Sequence, residues 1–141
     1  MTLTLYLAHP FDERFNIREW ELEFEKRTGI NLINPFYDVG RADVEMIDAG
    51  RAERYEKLIP EKLVERDLNN ITKADGTVAF VTGALSYGTI MEMFFTRMSN
   101  KPLYSIISNG HENHPWLKYC STKIFTNKED FEKWITNENK K

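Results

Sequence analysis

Hydrophobic and polar positions along this chain switch repeatedly between a strand period and a helix period. Leu3 to Ala8 is a short β-rich run closed by His9-Pro10, and it reads as a first strand. Phe15 to Thr28 carries Ile17, Trp20, Leu22 and Phe24 among charges, which predicts an amphipathic helix ending at Gly29. "INLINPF", Ile30 to Phe36, predicts a second strand running into a loop, and Tyr37 to Gly50 predicts a loop with some helix. Arg51 to Ala74 is helical in period, with Pro60 opening a new helix or kinking one. Gly76 to Thr82 is a continuous apolar run, as in a strand buried on both faces. A loop from Gly83 to Gly88 leads into a further helix. Leu103 to Ser108 predicts a strand, His114 to Tyr119 a short helix, Lys123 to Thr126 a last strand and Lys128 to Asn137 a final helix.

Strands alternating with helices imply an α/β fold: one doubly wound, mostly parallel five-stranded sheet with helices on both faces, flavodoxin-like or Rossmann-like. Ligands of such sheets bind beyond the carboxyl ends of the strands. The loops His9–Asn16, Asn34–Gly40, Gly83–Gly88 and Asn109–His114 are therefore where chemistry is expected.

Composition narrows the function classes. At 141 residues the chain fits one domain, 1–141, with only 137–141 expected as a flexible tail. A net charge of -3 gives no basic footprint for a nucleic acid polymer, although a nucleobase remains a possible ligand. The single cysteine, Cys120, suits a reducing compartment. No apolar run reaches membrane-spanning length, and the start of the chain lacks the pattern of a signal peptide. The expectation is a cytoplasmic protein with no membrane partner.

Two carboxylates are oddly placed. Glu92 sits among Ile90, Met91, Met93, Phe94 and Phe95, in the most apolar predicted helix. If that helix starts near Gly88 or Thr89, Glu92 lies in its first turn or just after. There the helix dipole favours its charge while apolar neighbours oppose it. Such a group can serve as a nucleophile or an acid/base, or it can cap its helix or face solvent. Asp67 is four after Leu63, three after Val64 and four before Ile71. That spacing sets it on the core-facing stripe, with Lys62, Glu65 and Arg66 better placed for water, or at the border of a narrower stripe.

The remaining motifs are weaker. "TGALSYG" joins a buried strand to a helix start, and its glycines and Ser86 can hold a phosphate or a sugar hydroxyl. It is neither a Walker A loop nor G-x-G-x-x-G. His111, Glu112 and His114 lie among Gly110, Asn113 and Pro115, which suits a turn better than a metal site. No metal and no cofactor is expected. Tyr6, Phe11, Phe36 and Tyr37 fall at or near the ends of the first two strands; most are expected in the core, and those at the carboxyl ends can stack on a flat ligand such as a nucleobase.

Three pieces in register resemble the nucleoside 2-deoxyribosyltransferase family, which includes the 2'-deoxynucleoside 5'-phosphate N-hydrolases. They are "LYLAHPFDERFN", "ERDLNNITKADGTVAFV" and "SYGTIMEMFF", which together carry Tyr6, Asp67-Leu68 and a Gly-x-x-x-Glu from Gly88 to Glu92. The resemblance implies catalytic roles: Glu92 as the nucleophile that holds the sugar as a covalent ester, Asp67 as the acid that handles the base or the sugar hydroxyl as the leaving group departs, and Tyr6 as the residue orienting Glu92. It further implies substrate binding by Phe11, Asn16, Tyr37, Ser86 and Gly88, with Asn113 lent by a neighbouring subunit of a homo-oligomer. The implied partners are a small nucleoside or nucleotide and a free nucleobase. Ser86, six before Glu92, matches the phosphate-accepting hydrolases, whereas "AHPFDERFN" is closer to the transferases. The expected function is cleavage of a deoxynucleoside N-glycosidic bond with transfer of the sugar to another base. A 5'-monophosphate N-hydrolase is the alternative, and a nucleotide-binding module without turnover is a second.

Overall fold

The computed structural model describes residues 2–37, 59–83 and 86–141. The elements expected over 38–58 lie outside them. Strands β1 (Thr4–Ala8), β2 (Asn31–Ile33), β3 (Gly76–Val81), β4 (Leu103–Ile107) and β5 (Lys123–Phe125) form one sheet in the order β2-β1-β3-β4-β5. Every pairing is parallel. Among the described residues the helices are α1 (Arg14–Thr28), α2 (Pro60–Lys73), α3 (Tyr87–Met98), α4 (Pro115–Cys120) and α5 (Lys128–Asn139), with a 3-10 turn at Phe11–Glu13. The α/β architecture is the one expected from the alternating pattern, and the sheet is parallel throughout.

Several boundaries move for identifiable reasons. β2 stops at Ile33, and Pro35, which has no N–H to donate, follows in the turn. Pro60 opens α2, where its missing donor costs nothing. α5 runs on to Asn139, through part of the segment expected as a tail.

The strand period of two sorts side chains to the two faces of the sheet. Leu5 and Leu7 join Ile17, Trp20 and Phe24 of α1 and Phe131 and Ile135 of α5. Tyr6 and Ala8 point the other way, towards Ile71 of α2, Met93 of α3 and Leu117 of α4. Burying a side chain such as Phe24 contributes about 1.5–3 kcal/mol relative to leaving it in water.

The second face is locked at the start of β3. A Cβ on Gly76 would lie 2.8 Å from the Pro102 carbonyl oxygen, so only glycine lets β3 begin so close to β4. Beside it, the Lys101 ammonium donates to the Thr72 and Ala74 carbonyls and so caps the end of α2.

The most apolar helix, α3, is not enclosed: Met91 is 69% exposed, and Ile90, Phe94 and Met98 are also open. Met93 is buried, and Glu92 is half-buried between it and Met91. Trp116 and Tyr119 of α4 are exposed as well, and the Trp116 and Phe94 ring centres are 6.4 Å apart.

Candidate active site

Chain order places a topological switch between β1 and β3. After β1 the chain goes to β2 on one side and later returns to β3 on the other. Glu92 is attached to both of these central strands.

Its side chain is held by β1. Tyr6 is fully buried in mid-strand, and its hydroxyl donates a short hydrogen bond to Glu92 Oε2. Its backbone is held by β3. Thr96 Oγ1 donates to the Glu92 carbonyl at 2.8 Å. Thr77 Oγ1 lies 2.9 Å from Thr96 Oγ1, and since the single Thr96 proton is already used, Thr77 is the donor. Tyr6 and Thr77 are direct neighbours in the β1–β3 register, so adjacent strand positions grip one helical residue from two sides. The sequence gives no signal for the Thr77–Thr96 link beyond two threonines in apolar surroundings.

α3 starts one to two residues earlier than expected. Ser86 caps it, accepting from the Thr89 N–H at 3.3 Å and bonding the Thr89 hydroxyl at 2.8 Å. Glu92 is thus the sixth helical residue, beyond the first turn, where the helix dipole has faded. The Tyr6 hydroxyl, rather than the helix terminus, is a polar group that meets its carboxylate.

Asp67 lies on α2, beside α3 and β1. It is half-buried and its Oδ1 is shielded from solvent, as its place in the helical period requires. Two neighbours differ from the period. Val64 is 50% exposed, and Arg66 is half-buried with its Nε enclosed.

The aromatic candidates converge beyond the ends of β1 and β2. Phe36 meets His9 at 4.8 Å between ring centres and Phe11 edge-on at 5.3 Å. The Arg14 guanidinium sits 3.8 Å over the Phe11 ring and donates to the Phe11 carbonyl. Tyr37 lies under the Arg18 guanidinium at 4.6 Å.

The other candidates are dispersed. A cavity of about 440 Å³ opens between the start of α3 and the loop before α4, with Ser86, Thr89, Asn109, His111 and His114 among its walls. Gly88 is exposed on α3, and Asn113 is exposed on that same loop. Asn16 is not brought to Glu92. It lines a separate cavity of about 290 Å³ on the α1 and α5 side of the sheet. Among the described residues no three His, Cys, Asp or Glu side chains converge as a metal site would require. No described helix is long and apolar enough to cross a membrane.

No family model matches the chain, and no curated protein is similar to it in sequence. Solved structures are similar. The 2-deoxyribosyltransferase of Bacillus psychrosaccharolyticus superposes with a TM-score of 0.68 at 19% identity, over 92% of this chain and 90% of that one. The chain shares the flavodoxin-like α/β fold of that structure. The CMP N-glycosidase of Clostridium botulinum superposes with a TM-score of 0.57 at 17% identity, over 94% of this chain and 96% of that one.

Within this α/β fold lies one group that the sequence pattern did not single out. Glu21 of α1 is only 1% exposed. Burial pushes its carboxyl up from the ordinary range, and hydrogen bonding from Asn34 and the charge of Arg18 pull it back. The helical period held the signal. Ile17, Glu21, Phe24 and Thr28 fall on one stripe, whereas Leu22, read as apolar and inward, is 41% exposed.

Proposed function

We propose that this chain is a member of the nucleoside 2-deoxyribosyltransferase family and cleaves the N-glycosidic bond of 2'-deoxynucleosides. The Glu92 carboxylate attacks the anomeric carbon, and the bond to the base breaks as Asp67 protonates the leaving nitrogen. The sugar is then held as an ester of Glu92. A second base attacking the same carbon breaks the ester, gives its N–H proton back to Asp67, and leaves as a new nucleoside with the Glu92 carboxylate restored. The observation that carries this reading is the Tyr6 hydroxyl on the Glu92 carboxylate at the β1–β3 switch point. A tyrosine enclosed in the central strand spends its polar end on aiming one acid. The two similar structures add support, since one is named for deoxyribosyl transfer and the other for N-glycosidic cleavage of a nucleotide.

Ser86 carries a second reading, in which the substrate bears a 5'-phosphate and water takes the place of the second base. Its hydroxyl stands at the start of α3, on the wall of the 440 Å³ cavity. Incubation with a deoxynucleoside or its 5'-monophosphate, with and without a second base, followed by chromatography, separates the two. A new nucleoside is the expected product. Free base with deoxyribose 5-phosphate favours hydrolysis of the nucleotide. No change with any substrate overturns both and leaves a binding module.

The assembly proposed is a homo-oligomer that covers α3. Ile90, Met91, Phe94 and Met98 form an exposed apolar surface on the helix that carries Glu92, continued by Trp116. A second copy is the occupant because such a contact brings another chain to the edge of the site, where Asn113 is exposed for exchange. Sedimentation is expected to give a dimer or larger species for the unsubstituted chain and a lighter one for Phe94→Glu. Identical sedimentation rejects the contact.

A further inference from the structure

Glu21 has two carboxylate oxygens, and each leads to a different aromatic residue of one loop. Oε1 accepts from Asn34 Nδ2 at 2.8 Å. Asn34 is fully buried, and its Oδ1 accepts from the Phe36 backbone N–H at 2.9 Å. Those two bonds fix which end of the amide is oxygen. Oε2 accepts from Arg18 Nη1 at 3.1 Å, and the Arg18 guanidinium lies over the Tyr37 ring. Phe36 and Tyr37 follow β2, and Phe36 in turn packs on Phe11 after β1. A buried carboxylate is costly unless its bonds are needed, and an apolar side chain on this stripe would fill the same core space.

We infer that Glu21 is a positioning residue, which holds Phe36 and Tyr37 beside Phe11 as a rigid aromatic wall for the nucleobase. The inference rests on the nucleoside reading of the site, and it adds how the base is gripped. Preorganised rings spare the ordering cost that a loose loop would pay on binding. Loss of one arm therefore weakens substrate binding and leaves the reacting carboxylate untouched. Glu92 lies on the opposite side of the sheet from α1.

The test compares Glu21→Gln and Arg18→Met with the unsubstituted chain. Glutamine keeps the shape of Glu21 but turns an N–H towards one of its two donors, while Arg18→Met cuts only the Tyr37 arm at a partly exposed position. In Glu21→Gln, KM for the deoxynucleoside is expected to rise about tenfold, with kcat within about twofold. Glu21→Gln and Phe36→Leu are expected to be non-additive in KM, since they act through one loop. Backbone hydrogen exchange at Phe36 supplies a readout that needs no activity, and it is expected to quicken in Glu21→Gln at unchanged melting temperature. An unchanged KM in an active enzyme overturns the role in binding. An additive cycle, or a fall in kcat and melting temperature together, overturns it in favour of a purely structural one. If the unsubstituted chain releases no base, the nucleoside reading fails separately, and unchanged exchange at Phe36 overturns the anchoring itself.

Discussion

Glu92→Gln is expected to abolish base release, with a loss of about 10⁴-fold or more in kcat. Glutamine retains a carbonyl oxygen for the Tyr6 hydroxyl, and the Thr96 bond to the backbone carbonyl is unaffected, so the helix stays seated. Only the carboxylate proposed as the nucleophile is removed. Melting temperature and nucleoside affinity are expected to stay close to those of the unsubstituted protein. Chromatography of the released base provides the rate. Intact-mass measurement after brief exposure to substrate is expected to find a sugar adduct on the unsubstituted chain and none on the variant. If Glu92→Gln turned over at a comparable rate, Glu92 would be no more than a tether for Tyr6.

Asp67→Asn has the second largest expected effect, a fall of about 10²–10⁴-fold in kcat, the range for a lost general acid. Asparagine preserves size and hydrogen-bonding capacity at a half-buried position of α2, so the fold is expected to hold. The loss should depend on the leaving group. A base that departs readily without protonation should suffer little, and one that needs a proton should suffer most. Rates for a series of deoxynucleosides of graded leaving ability check this. Equal loss across the series would assign Asp67 to holding the sugar instead.

The sequence made the architecture legible because strand and helix periods alternate cleanly, and Pro60 and Gly29 punctuate them. The site was legible only in pieces. Spacing alone turned Asp67 inward, but nothing in the spacing joins Tyr6 to Glu92, which are brought together by a strand crossover 86 residues later. The early start of α3 was missed because Gly88 draws attention away from Ser86, a better cap. Glu21 was missed because a charge among charges reads as solvated, although its period places it beside Ile17 and Phe24. The open face of α3 was not legible for another reason. Periodicity reports which residues are apolar, and has no means of distinguishing a core from an exposed apolar surface.

The sheet itself suggests what kind of association such a surface leads to. Among the described residues its outermost strands, β2 and β5, have only three residues each, and Lys123 opens β5. Such short borders, one of them opened by a lysine, offer an incoming backbone few groups to pair with. Copies of the chain therefore have little means of growing by strand addition into open-ended stacks. Contacts between helices can close on themselves, and the protein can carry a sticky helix without a tendency to polymerise.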